Sequence, residues 1–292
     1  MIKSLLRVGC MAAVTAGLAF GLGGAASADT VYSNNQTPGD FFHGSVAGNP
    51  DGASLSLGTP GWSYENVRND SVVGINNTYA DNHGGNGSVY FNPVGSGAGT
   101  GKADITYGSG GVLGNLSDLR ALSFEWYRDS ASDVAQHFSP SLRIGITIGS
   151  GVDQKSGYLV WENVYNGGST KTAVATDQWV EVDAFKGGLA KLWNNPDLGL
   201  GGPQYKTLDD WLKVGSPLAD AVVTGFQIGV GSGWKGTFIG AADYLSYQFD
   251  GGPVTTVDFE VNAVPEPSSI ALVLGLGGLG LAGRAWRRRR TG

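Results

Sequence analysis

The chain has 292 residues, of which 49 are Gly and one is Cys, so glycine is several-fold commoner than its ordinary ~7% share. Charged side chains make up 15% and aromatic ones 10%, which excludes a disordered polyampholyte, and the glycines lack the strict every-third spacing of a collagen. Seven of the 19 Lys+Arg and one of the 25 Asp+Glu lie in the two ends, which leaves 12 basic and 24 acidic side chains, a net charge of −12, on residues 29–262. A body that acidic repels phosphate backbones, so nucleic acid is not an expected partner. The single thiol, Cys10, sits in the first segment, and His43, His83 and His137 show no ligand spacing; zinc and iron–sulfur chemistry are not expected.

Residues 1–28 read as a secretory leader. Lys3 and Arg7 form the basic start, an apolar stretch follows from Val8 to about Gly24, and Ala26-Ser27-Ala28 precedes Asp29. Small residues at Ala26 and Ala28 suit a signal peptidase, which is expected to cut after Ala28.

Residues 29–262 read as one extracytoplasmic all-β domain, an antiparallel sandwich. Short β-branched or alternating runs punctuated by Gly, Asn, Asp and Ser predict strands over 88–91, 103–107, 121–127, 142–148, 157–161, 178–184, 222–230, 237–239, 244–249 and 254–261. Arg143-Ile144-Gly145-Ile146-Thr147-Ile148 and Val180-Glu181-Val182-Asp183 show the period of two that places apolar side chains on one face. Two short helical excursions are expected. One covers 189–194, and the other runs from Thr207 to Val214, where Thr207 and Asp210 have capping-box spacing and Leu208, Trp211 and Leu212 share a face. Residues 29–61 show no clear period. The stretch 224–249, with Gly229-Val230-Gly231-Ser232-Gly233-Trp234 and then Gly240-Ala241-Ala242-Asp243-Tyr244, resembles the closing strands of jelly-roll carbohydrate-binding and lectin-like modules. That resemblance implies a jelly-roll-like architecture.

The body offers residues for several chemistries. Glu181 and Asp183, two apart on a strand, share a face, as paired glycosidase carboxylates do. The run resembles the Glu-x-Asp-x-x-Glu strand of laminarinase-like hydrolases, but Lys186 stands where the acid/base carboxylate belongs, and an ammonium cannot protonate a leaving oxygen as a carboxylic acid does. No Gly-x-Ser-x-Gly elbow and no phosphate-cradling loop is present. Seven Trp remain in the body, and most are expected in the core; Trp62, after Pro60-Gly61, and Trp234, in a Gly-rich turn, are the two expected to be exposed for sugar stacking. Hard oxygen donors are plentiful, so calcium stays open as a ligand, with Asp81, Asn82 and Asn86 the nearest cluster, although no Asp-x-Asp-x-Asp-Gly loop exists.

The C-terminal segment 263–292 carries Val264-Pro265-Glu266-Pro267, an uncharged stretch from Ile270 to Gly283, then Arg284, Ala285, Trp286 and Arg287, Arg288, Arg289, Arg290. As a helix, 270–286 would be about 25 Å long, the short end of a bilayer span, with the arginines cytoplasmic. The two prolines flanking Glu266 keep that strip extended. In this order the three features resemble the PEP-CTERM sorting signal. The resemblance implies recognition by a membrane-embedded exosortase in Gram-negative bacteria that make exopolysaccharide, and processing near the Pro-Glu-Pro motif after transient inner-membrane anchoring.

The sequence therefore predicts a secreted, non-enzymatic envelope or extracellular-matrix protein whose partners are signal peptidase and an exosortase. A carbohydrate-binding module for polysaccharide is the alternative, ahead of a polysaccharide hydrolase or an ice-binding protein.

Overall fold

The computed structural model describes residues 27–44, 51–80, 83–95 and 99–262. The leader up to Ala26, the loop residues Asp81 and Asn82, and the whole segment 263–292 with its expected membrane span and arginine cluster lie outside the described residues. Among the described residues no helix is long and apolar enough to cross a membrane.

Two sheets pack face to face, as the period-two strands require once each buries its apolar side. In the front sheet the strands lie in the order Tyr205–Thr207, Lys191–Asn194, Lys155–Trp161, Ser141–Ile148, Val222–Gly231, Lys102–Gly108, Trp62–Arg68 and Ala53–Ser56. In the back sheet Gly240–Phe249 is central. It pairs with Leu119–Arg128 along one side and with Thr255–Asn262 and Ser88–Asn92 along the other. All of these pairings are antiparallel. The exception in the back sheet is its edge, where Ser27–Gln36 runs parallel to Thr255–Asn262. The cut expected after Ala28 thus falls near the start of a paired strand. The chain passes repeatedly between sheets, from Trp62–Arg68 in front to Val72–Asn76 behind, and from Val222–Gly231 in front to Gly240–Phe249 behind. Such crossing makes the sandwich jelly-roll-like.

The core lies between the sheets. Leu142, Ile144 and Ile146 point inward from Ser141–Ile148, while Arg143 takes the opposite face. Aromatic side chains bridge the layers edge to face: Trp161 against Phe124 at 5.6 Å, and Trp62 against Phe259 at 5.1 Å. Pairs of this geometry contribute about 0.5–1.5 kcal/mol beyond the apolar area they bury. Tyr64, fully buried, donates its hydroxyl to Asp40 Oδ2 at 2.7 Å and accepts the amide of Ile75 at 2.8 Å.

Nine of the ten expected strands are present, some shifted by a few residues, and the run expected over 237–239 is reduced to the two-residue strand Gly236–Thr237. Residues 189–194, expected as a helix, instead supply the strand Lys191–Asn194, whose backbone pairs with Lys155–Trp161 on one side and Tyr205–Thr207 on the other. Leu192 faces the core and Trp193 the outer surface, so the period is two, and sheet pairing overrides a weak local helical pattern. The helix near Thr207 is short, Leu208–Trp211, with the Thr207 hydroxyl oxygen accepting the Asp210 amide at 3.1 Å as the spacing predicted.

Candidate functional site

The outer face of the front sheet holds a cleft of about 360 Å³. Register builds its floor. Arg143 lies beside Gln227, and Gln227 beside Thr106; one row along, Gly229 separates Ser141 from Asp104. Gly229 is required there, because a Cβ on it would overlap Asp104 Oδ1 and come within 2.7 Å of Arg143 Nη1.

Asp104 organises this floor. It is fully buried, and its carboxylate accepts hydrogen bonds from Arg143 Nη1 at 2.8 Å, Lys102 Nζ at 2.8 Å and Asn66 Nδ2 at 2.9 Å. Burial alone would raise its pKa, but the Arg143 guanidinium and the Lys102 ammonium outweigh that and hold the carboxyl below its usual range. Arg143 Nη1 also donates to Gln227 Oε1 at 2.7 Å, and Gln227 Nε2 to Thr106 Oγ1 at 2.8 Å. Lys102 and Asp104 share one strand, Asn66 and Thr106 reach the network from or along neighbouring strands, and Arg143 spans Val222–Gly231 to meet Asp104, so the network ties four adjacent strands of the sheet together.

The opposite wall comes from the strands Lys155–Trp161 and Lys191–Asn194. Tyr158, Glu162 and half-buried Trp193 line it, and the Trp193 indole donates to Glu162 Oε2 at 3.0 Å. Burial pushes the Glu162 carboxyl above its usual range, against the lowering effects of the Trp193 hydrogen bond and Arg143. Glu162 and Trp234 also line a smaller adjoining pocket of about 160 Å³. An aromatic ring beside amides, a hydroxyl and charged groups in one open groove is a surface suited to a polar ring compound such as a sugar.

The residues singled out in the sequence fall elsewhere or play other parts. Trp62 is 6% exposed and stacked on Tyr107, and Trp234 is 8% exposed and stacked on Phe138 at 4.4 Å. Neither ring is the free platform expected. Pro60-Gly61 turns the chain, but the strand that follows points its first residue inward; Trp234 folds back onto Phe138 and only lines the groove rim. Trp193, which sequence reasoning did not separate from the others, is the indole in the groove, and its position two strands from the centre was invisible in a segment read as a helix.

Glu181 and Asp183 lie in the back sheet, on the strand Trp179–Asp183, away from the groove. Both are exposed, Glu181 stands opposite Glu125 in register, and Asp183 accepts the amides of Phe185 and Lys186 at 2.9 and 2.7 Å. Asp183 therefore holds a turn. The back face also carries a row of rings, Trp179, Tyr127, Tyr79 and Tyr90, with centroids 5.8, 4.5 and 6.1 Å apart. Of the expected calcium cluster, Asn86 Oδ1 accepts the Val261 amide at 2.8 Å, and Asp81 and Asn82 lie outside the described residues. Among the described residues no group of three or more His, Cys, Asp or Glu could hold a metal ion.

Comparison with known proteins decides the tail. The model of the PEP-CTERM protein-sorting motif matches residues 263–290. The chain carries a PEP-CTERM sorting signal. The match takes in Val264-Pro265-Glu266-Pro267, the apolar stretch and Arg287 to Arg290. It implies export through the envelope, a membrane-anchored tail before processing, and an exosortase as the sorting partner. No curated protein matches the chain. Among solved structures, a double-cysteine mutant of ENZbleach xylanase is similar at 12% identity over 76% of this chain and 91% of its own, with a TM-score of 0.37.

Proposed function

We propose that this exosortase-sorted protein is a non-enzymatic polysaccharide-binding component of the cell envelope or extracellular matrix, and that the front-sheet groove holds the sugar. The observation that carries the reading is the groove itself: Trp193 and Tyr158 stand beside Asn195, Gln227 and a fixed ion network. A tail that delivers the body to a polysaccharide-rich exterior supports the same reading. The direct test is a glycan-array screen of the mature protein and its Trp193→Ala variant, with and without calcium. Binding that Trp193→Ala abolishes is expected; absence of binding to every glycan would reject the proposal.

Sorting has its own test. Replacing Pro265, Glu266 and Pro267 with alanine should leave the mature protein heavier and membrane-retained in cells that own the processing enzyme. Unchanged intact mass and location would contradict it.

A second reading, hydrolysis, is favoured by one observation: the Glu162 carboxyl, pushed upward in the groove, has the character of a general acid. Asp104, its counterpart with a lowered carboxyl, is fully buried beneath Lys102 and Arg143, where it is shielded from a sugar. Release of reducing ends from a bound polysaccharide, lost in Glu162→Gln, would establish that reading in place of the binding one.

A further inference from the structure

The body has 12 basic side chains, and three of them, Arg68, Lys102 and Arg143, line the groove. Arg68 and Lys102 are register partners on neighbouring strands. Asp104 is the carboxylate they share, bonded to Lys102 and Arg143 alone of the three. The three cations meet Asp104 inside the network, while the other two acids of the groove, Glu162 and Asp197, stand across it. Lys102 registers this crowding: its pKa is lowered by burial first, and Arg143 and Arg68 lower it further against the pull of Asp104.

The donors are also under-used. Arg143 makes its hydrogen bonds through Nη1. Arg68 Nε is buried without a hydrogen-bond partner, and Arg68 Nη2 reaches only Asn66 Oδ1, at 3.4 Å. A buried donor of this kind costs stability unless a ligand or water satisfies it. Guanidinium groups match the planar, two-oxygen geometry of a carboxylate.

We propose that Arg68, Lys102 and Arg143 form an anion subsite of the groove that takes the carboxylate of an acidic, uronate-type sugar. The inference rests on the polysaccharide-binding reading and narrows it to acidic polymers. Glu162 and Asp197, on the opposite wall, disfavour a second anionic group there, so a ligand with carboxylates spaced along the chain is read in one orientation.

The experiment is titration calorimetry of the mature protein with oligosaccharides of polygalacturonate, polymannuronate, polyguluronate and hyaluronan. Each is paired with its carboxyl-reduced form, and sulfated dextran serves as a non-carboxylate polyanion. At least one acidic form should bind about tenfold or more tightly than its reduced form, a difference of about 1.4 kcal/mol. Arg68→Gln should remove that preference while the circular dichroism spectrum is unchanged, and Lys102→Gln provides a second variant. Equal binding of acidic and reduced forms, abolished by Trp193→Ala, would overturn the anion subsite and leave the groove reading standing. Binding of sulfated dextran as tight as the best uronate and indifferent to Arg68→Gln would overturn it too, as bulk electrostatics. No binding of any saccharide would overturn both.

Discussion

Replacing Asp104 with Asn tests whether one buried carboxylate organises the groove floor. The substitution keeps the side-chain volume but removes the charge, and it turns one oxygen into an amide donor facing the donors of Lys102 and Arg143. Lys102 and Arg143 are only 15% and 12% exposed at their side chains, so water replaces the lost partner poorly. Breaking a buried pair by removing one member typically costs about 3–5 kcal/mol. For a domain of this size each kcal/mol shifts Tm by about 2–4 °C, so Asp104→Asn should lower it by about 6–20 °C at neutral pH. The pH dependence follows from the lowered Asp104 carboxyl. Its stabilisation is complete above the unfolded carboxylate range and is lost as pH falls through the lower folded value, so the deficit of the variant should shrink in acid. Urea midpoints and thermal melts of both proteins from neutral to acid pH provide the assay. A neutral-pH deficit under about 2 °C, or one that persists undiminished in acid, would mean that Asp104 does not hold the floor together.

Other consequences can be checked in the same way. Glu162 has its carboxyl raised by burial, so ionising it opposes folding, and stability should decline as pH rises from the usual carboxylate range through the folded value. Glu162→Gln, which can still accept the Trp193 indole, should remove that decline; an unchanged pH profile of the urea midpoint would contradict it. Thr207→Ala removes the cap of Leu208–Trp211 and should cost about 1 kcal/mol, read as a fall in urea midpoint; no change would mean that sheet pairing alone holds the turn. Gly229→Ala should displace Asp104 and destabilise the protein to a similar degree as Asp104→Asn, because the new Cβ overlaps Asp104 Oδ1; a wild-type melt would contradict the close approach.

The sandwich was readable because strands such as Ser141–Ile148 alternate cleanly, and the turns between them carry Gly, Asn and Asp. Val72–Asn76 escaped because all five of its residues are buried, which leaves no alternation to detect. Ser27–Gln36 escaped because it is an exposed edge whose partner, Thr255–Asn262, lies more than two hundred residues away in sequence. The groove was less legible still. The period of two placed Arg143 outward, but nothing local says that Asp104, 39 residues earlier, and Gln227, 84 later, would meet it. Likewise Pro60-Gly61 and the glycines around Trp234 mark where the backbone bends, and not which side of the sheet the following ring takes. Sorting, by contrast, is written in consecutive residues, and a short linear signal is what a sequence reveals most directly.

Sugar binding in the front-sheet groove is what we propose for this protein. Its most direct test is a heteronuclear NMR titration of the tryptophan indole N–H groups with the best-binding oligosaccharide, the Trp193 resonance being assigned through Trp193→Phe. With ligand bound in the groove, the Trp193 resonance should shift progressively while Trp62 and Trp179 stay in place. A titration that moves Trp179 on the opposite sheet and leaves Trp193 still would contradict it.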